Sequence, residues 1–599
     1  MTKRDLLAIL PQSESPEPPK HWKSLNQLSF GSEYQDSVHR EFLSELSETT
    51  GVKRREMLKL MGASFALAGV GSACVRRPEE HILPYSKQPE LIPGVPDFYA
   101  TAMPGTFGAE GLLVESHEGR PTKIEGNPSH YDSLGATSTQ AQATVLELYD
   151  PDRSKTPYEG EKASTWSDFD KGISKIIQDA KANQGLGLAF LIDDSEQPTR
   201  DRLLSTVMAG LPKATLHRWD SMALNNTQVG LETVFGGGAR QHLKIANAKT
   251  ILALDADVFC MAPEHITNTR GFAAGRQLES SKDAATMNRM YAVEANFTMT
   301  GTNADERLRI SSTEAGSFLQ TLALDLFKNQ KVAWPAAMGD DTVKKAFLGS
   351  LKPGKLTDKA TKFLSALSKD LAANMSKSLI CIGEHQPASV HALAALMNIA
   401  LGGLGKTFDV SVPKEATPVL PSVTDGDKTG EPVVAAVAPV GETAAQQLDR
   451  LTVALNKGAV KTLVIFDGNP AVTAGSAFTA ALSKASTIVH YGLYRDETAS
   501  LAAWHAPTAH FLESWGDARS YNGQASVIQP LIMPLHDARS QVELLSQWQN
   551  GKVTKGHDTI KATWASLSNR VWRKALHEGV LEDSNRSLLT ALPSGTLAA

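Results

Sequence analysis

The residues of this chain that could do chemistry are few, and their spacing argues against most of it. "WHAPTAH" holds His505 and His510. Five residues apart, they miss the i, i+4 spacing that sets two imidazoles on one helical face, and no HExxH occurs. "EHQPASVH" holds Glu384, His385 and His391. Both groups read better as surface or hydrogen-bonded core histidines than as metal ligands. "FGGGARQ" (Phe235–Gln241) is glycine-rich, but it follows a helical pattern and lacks GxGxxG and Walker spacing, so it does not read as a phosphate loop. "ESWGDARSYNGQ" sets Glu513, Asp517 and Arg519 among turn residues and reads either as a substrate loop or as a scaffold turn. The three cysteines, Cys74, Cys260 and Cys381, form no CxxC or CxxCH. That excludes a cysteine-ligated four-iron cluster, c-type haem and a disulfide-dense framework within this chain. Spacing alone therefore assigns no catalytic, cofactor-binding or metal-ligating residue.

The elements that must position these residues are α/β in pattern. "GLGLAFLIDD", "TILALDADVF", "SLICIGE", "TLVIFDGNPAV" and "TIVHYGLYRDE" are short continuous apolar runs, most of them followed by helical segments such as "QPASVHALAALMNIAL". Runs of this kind suit strands buried on both faces, hence βαβ units and a largely parallel sheet. Thr165 and Asp168 form a capping-box-like start to a helix whose Trp166, Phe169, Ile173, Ile176 and Ile177 share a face. Before it, "EGLLVESHEGRPTKIEGNPSH" alternates around "HEGR" and predicts a hairpin. Residues 408–442 are rich in Pro, Val and Ala without period and read as a linker or insert, with an extended strand open to them. At 599 residues the chain has room for about three or four domains. A net charge of −5 without a basic block gives nucleic-acid binding no support.

Residues 53–74, "KRREMLKLMGASFALAGVGSAC", pose a separate question. The apolar part is shorter than the roughly 20 residues a membrane span needs. A charged start, a short apolar run and small residues fit an export signal. Arg54, Arg55, Leu58 and Lys59 match the twin-arginine pattern, which carries folded proteins across a bacterial inner membrane. Cys74 is a candidate for acylation, although Gly71 stands where a lipoprotein signal has Leu. Residues 1–50 precede it as a polar extension with short amphipathic helical patterns, a place to bind a partner or targeting factor. The alternative is a buried Ala/Gly-rich helix ending in an ordinary thiol.

Several segments resemble the molybdopterin oxidoreductase superfamily. "GLLVESHEGRPTKIEGNPSHYDSLGATSTQAQATVLELYDPDR" is similar to its N-terminal iron–sulfur domain, and "ESWGDARSYNGQ" to the segment before its C-terminal domain. Where that family has cluster cysteines, this sequence has Thr101, Thr106 and Ala109, then Ala136, Thr137 and Ser138. "HWKSLNQL…HREF", the internal twin arginine, "DADVFCMAPEHITNTRGFAAGRQ", "MNRMYAVEANFTMTGTNADERLRI" and "WRKALHEGVL" resemble, more narrowly, the molybdopterin-oxidoreductase-like subunit of bacterial alternative complex III.

The resemblance implies a multi-domain α/β fold with Rossmann-like parallel-sheet domains and a small N-terminal β-rich domain. A vestigial iron–sulfur-type domain would span 75–160, interleaved α/β domains 161–407 and 443–545, and a helical segment 546–599. The family's C-terminal pterin domain is expected to be missing or reduced. The function implied is a scaffold in a membrane-bound quinol-oxidising respiratory complex at the periplasmic face. This chain would hold no cofactor and no active site of its own. An iron–sulfur (ferredoxin-like) subunit, a multihaem cytochrome c and polytopic quinol-binding subunits would be its partners, carrying the clusters and haem c. The alternative is a working molybdenum enzyme without the N-terminal cluster, with Asp220 or Ser221 in the region of a metal ligand.

Overall fold

A computed structural model of the chain describes residues 92, 94–222, 225–260, 262–413 and 442–591. Two compact units divide the chain, Met1–Pro89 and Glu90–Ala599, and every described residue lies in the second. The polar extension, the twin-arginine segment (Arg54, Arg55, Leu58, Lys59), Cys74 and most of the 408–442 linker lie outside the described residues. Among the described residues no helix is long and apolar enough to cross a membrane.

The predicted hairpin is present. Glu110–His117 and Arg120–Gly126 pair antiparallel across a two-residue turn, with Asp97–Met103 on the other side of Glu110–His117. The turn residues Glu118 and Gly119 have φ of 52° and 83°. Two positive φ values match the twist of the flanking strands. Leu112, Val114 and Ile124 pack against the helix Thr139–Leu148 through Ala141 and Leu148. This small β unit occupies the region of the expected iron–sulfur-type domain.

The helix Trp166–Ala182 starts as its sequence requires. Thr165 caps it by accepting from the Asp168 N–H, and Phe169, Ile173 and Ile177 are buried on one face. It covers a seven-stranded sheet. Five strands of that sheet, Thr215–Arg218, Leu188–Ile192, Thr462–Phe466, Thr487–Gly492 and Trp504–Pro507, lie side by side in parallel; two short strands, Tyr158–Glu159 and Lys162–Ala163, extend one edge antiparallel. Alternation along the central strands divides two cores. Phe190, Val464 and Phe466 join one, and Ala189, Leu191, Leu463 and Ile465 join the other. Burial on both faces is why these strands read as unbroken apolar runs.

A second sheet is built from residues lying between those strands in sequence. Its order is Glu306–Arg309, Arg289–Glu294, Thr250–Leu254, Ser378–Ile382, all parallel. Leu252, Leu254, Val293 and Ile380 face one core; Ile251, Ala253, Leu379 and Cys381 face another. Ser378–Ile382 is an edge strand, and Asn398 closes its edge. The Asn398 amide donates to the Ile380 carbonyl and accepts from its N–H, both at 2.8 Å. A buried edge left open would strand both backbone groups. The start of the expected linker, Phe408–Val412, pairs antiparallel with Arg240–Leu243 and Ser587–Leu589. Phe408 and Val410 are both buried there, a period of two that the Pro- and Val-rich composition around them conceals.

Together these elements form a mixed α/β chain with parallel sheets and a small antiparallel β unit.

Candidate functional site

Each parallel sheet has one place where its strand order reverses. In the second sheet the chain steps outward from Thr250–Leu254 twice, then returns to its other side as Ser378–Ile382. The loops leaving those two strands diverge and leave a crevice at their carboxyl ends, which is where open α/β sheets bind ligands. A cavity of about 440 Å³ opens there. Asp255, Asp257, Ser312, Glu384 and His385 line it, with Ile380, Ile382 and Leu243 as apolar wall.

Asp255 is the hub. Its carboxylate accepts from His385 Nε2 at 2.6 Å, Gln386 Nε2 at 2.9 Å, the Ala295 N–H at 3.3 Å and the Ser312 hydroxyl. Burial pushes the Asp255 carboxyl up, but these hydrogen bonds outweigh it and hold the group well below the usual carboxylate range. The same bond raises the His385 imidazole. Ser312, His385 and Asp255 contain the residue types of a hydrolytic triad but not its geometry. Hydroxyl and carboxylate share one nitrogen, Nε2, at 3.1 and 2.6 Å. A relay needs the two ring nitrogens to divide those roles.

Glu384 accepts from the Thr227 N–H at 3.3 Å and from its hydroxyl, and burial raises its carboxyl. With the hydroxyl proton committed to Glu384, Thr227 Oγ1 accepts from His391 Nδ1 at 3.1 Å. Burial lowers His391 to about 4, so it is neutral near pH 7.

The first sheet reverses between Leu188–Ile192 and Thr462–Phe466. The fully buried Arg200 guanidinium donates to both Asp193 oxygens at 2.9 Å. Asp467 beside it accepts from Gln541 and, at 3.3 Å, from Thr508. Burial and the Asp193 charge push the Asp467 carboxyl up to about 7.

The other residues singled out by sequence have structural partners. Glu513 forms a buried ion pair with Arg153, at 2.6 and 3.1 Å. Asp517 accepts from the Thr199 N–H at 2.9 Å and Trp564 Nε1 at 2.8 Å. Arg519 donates to the carbonyls of Gly523 at 2.7 Å and Ser584 at 3.1 Å. Glu513, Asp517 and Arg519 of "ESWGDARSYNGQ" thus bond within the scaffold around the hairpin Gly516–Arg519/Ala525–Ile528, while Tyr521 of the same segment lines the cavity. The glycines of "FGGGARQ" follow the helix Asn226–Phe235 and precede the strand Arg240–Leu243.

His505 and His490 lie opposite each other on adjacent strands with their Nδ1 atoms 3.1 Å apart. His490 Nε2 faces only the Gly468 carbonyl, at 3.2 Å, and must donate to it. His490 Nδ1 then accepts from His505 Nδ1–H, and His505 Nε2 accepts from the Ser154 hydroxyl at 2.8 Å. His510 caps a short 3₁₀ turn by accepting from the Leu512 N–H. Asp220 accepts from Thr106, and Ser221 lines the cavity beside Phe107. Among the described residues no group of three or more His, Cys, Asp or Glu is placed to hold a metal ion.

Sequence reading missed Asp255 and Asp257. A signal was available: "TILALDAD" and "TLVIFDGN" align as Thr, four apolar residues, Asp, and a polar residue two further on.

Comparison with solved structures defines the fold. The fold is that of a molybdopterin oxidoreductase: acetylene hydratase from Pelobacter acetylenicus matches at a TM-score of 0.56 over 80% of this chain and 74% of its own, with 12% identity. No protein-family profile matches the chain. By sequence it is similar to the menaquinone reductase, molybdopterin-binding-like subunit of Nitratidesulfovibrio vulgaris, 26% identical over 451 residues. Those residues are 71% of this chain and 60% of the relative's length. The chain has a molybdopterin-oxidoreductase-like fold.

Such a fold implies a phosphate-bearing pterin cofactor, and the residues lining this cavity do not fit one. The cavity lining carries four carboxylates, Asp255, Asp257, Glu264 and Glu384, and no Lys or Arg. Of its two histidines, His391 is neutral near pH 7 and His385 is already held by Asp255. Phosphate needs cations or free donors, and a carboxylate lining repels it. At the other reversal point Arg200 is committed to Asp193.

Proposed function

We propose that this chain is a cofactor-free scaffold subunit of a membrane-bound, quinol-oxidising respiratory complex of the alternative complex III type. The observation that carries the cofactor-free part is the open crevice, lined by four carboxylates without a single Lys or Arg. The complex is supported by the similarity to a subunit named for menaquinone reductase, and by the segments that resemble the alternative complex III subunit. In this reading an iron–sulfur subunit, a multihaem cytochrome c and polytopic quinol-binding subunits do the redox chemistry. The chain holds them in register at the periplasmic face. Arg54, Arg55, Leu58 and Lys59 direct export, and Cys74 is the point of a lipid anchor.

Purification from native membranes tests the reading. The expected result is co-elution with a haem-staining cytochrome and polytopic subunits, and no stoichiometric molybdenum in this chain. One molybdenum per chain, or a partner-free soluble protein, would overturn it. Changing both Arg54 and Arg55 to Lys is expected to abolish export. A mass spectrum of the N-terminus decides processing and acylation at Cys74.

A further inference from the structure

The second sheet is flanked by a helical layer, Ala315–Lys328, Asp341–Ser350 and Asp358–Ala373. Its charge is unlike the rest of the chain. Residues 328–369 hold nine lysines against three aspartates, with no Arg or Glu, in a protein whose net charge is −5. Among the described residues none of these lysines has an ion-pair partner, although Arg and Lys elsewhere are widely paired.

Helical periodicity gathers them. On Asp358–Ala373, the residues Ala360, Leu364, Leu367 and Leu371 are buried. Lys359, Lys362 and Lys369, spaced i, i+3, i+10, fall on the opposite side, and all three are exposed. At 1.5 Å per residue the stripe is about 15 Å long. Lys352 and Lys355, both exposed, precede the same helix.

The composition points to the kind of partner. Protein interfaces favour Arg and aromatic side chains and are depleted in Lys. Here every cation is Lys, and the one large hydrophobic side chain exposed between residues 328 and 377 is Met375, near the helix end. A hydrated ammonium on a flexible stem suits diffuse attraction to a charged plane rather than a desolvated, shape-matched contact. We propose that the stripe Lys359–Lys362–Lys369 is a docking surface for an anionic phospholipid bilayer. It would orient the second α/β unit against the membrane, whichever subunits the chain assembles with.

Flotation of the full chain with phosphatidylglycerol-containing vesicles, against vesicles of phosphatidylcholine alone, tests this. Binding is expected only to the anionic vesicles. It should weaken as salt shortens the screening length to about 8 Å at physiological strength and below. Reversing Lys359, Lys362 and Lys369 to Glu should lower the partition coefficient at least about tenfold, with an unchanged thermal melt. The same reversal at Lys175, Lys181 and Lys213, exposed on the first α/β unit, alters net charge equally and should leave binding near wild type. Three results would overturn the proposal: no binding to anionic vesicles, equal loss in both variants, or capture of an acidic protein by the stripe without vesicle binding. None of these touches the scaffold reading, which rests on co-purification.

Discussion

Asp255 and Asp467 each border the reversal point of a parallel sheet. Asp255 follows the first strand of its sheet and Asp467 the strand that returns on the other side of its reversal point, and each has a left-handed backbone, with φ of 51° and 56°. Non-glycine residues hold that conformation at a cost, and Asp and Asn bear it best. Their surroundings then diverge. Asp255 is ionised and faces an open cavity with His385, whereas Asp467 accepts from Gln541 and Thr508 and is drawn toward the protonated form.

Asp255→Asn preserves the backbone and removes the charge. The His385 imidazole, raised chiefly by its hydrogen bond to Asp255, should then titrate closer to an ordinary histidine. An NMR pH titration of His385 reads this. An unmoved midpoint would mean that Asp255 is not what raises it.

Asp467 contributes in the opposite sense. Folded, it titrates near 7, against about 4 when unfolded, so the folded chain binds more protons between those values. Its contribution is full below about pH 4 and is lost as pH rises through 7. Asp467→Asn should therefore stabilise the protein at pH 8 and change little at pH 4, as judged by urea midpoints.

The histidine pair reverses that slope. His505 is pushed down to about 3 by burial, then by the His490 and Arg495 charges, and its unfolded value is about 6.5. The neutral imidazole is the native form. Stability from His505 is complete above about pH 6.5 and declines as pH falls toward 3. His505→Gln should flatten that acid arm in a plot of urea midpoint against pH.

Arg153 and Glu513 are both buried, so breaking the pair leaves a charge without compensation. Arg153→Met should cost about 3–5 kcal/mol. Adding Glu513→Gln should recover part of this, because glutamine carries no charge and its single amide oxygen still accepts from one of the two N–H groups, His510 or Leu535, that bond the separate carboxylate oxygens. Denaturant melts of both variants check the order.

Gly383 lies where the cavity begins. A Cβ there would come within 1.8 Å of the Asp255 carbonyl oxygen, a backbone atom fixed by the adjacent strand. Gly383→Ala should destabilise by about 1–3 kcal/mol, and a melting temperature equal to wild type would contradict the closeness of that crossing.

The strands that form the parallel sheets were legible because burial on both faces leaves continuous apolar runs such as Leu188–Ile192. The Thr165 cap and the Glu118–Gly119 turn were legible because their chemistry is local. The reversal-point crevice was not. It depends on which strands become neighbours, and Asp255, Ser312 and His385 meet across residues that no local period relates. The lysine stripe escaped notice for a similar reason: its members are spread along the sequence, and only the helix turns them to one side.

One pairing sets a constraint on synthesis. Leu188–Ile192 has Thr462–Phe466 as its parallel neighbour, and the whole second sheet is made in between. While the ribosome translates those residues, an apolar strand waits with one edge unpaired, the state in which chains aggregate or mispair. A nascent chain of this design depends either on rapid closure of the second unit, which shortens the effective separation of the two strands, or on a chaperone that shields the waiting edge until Phe466 emerges.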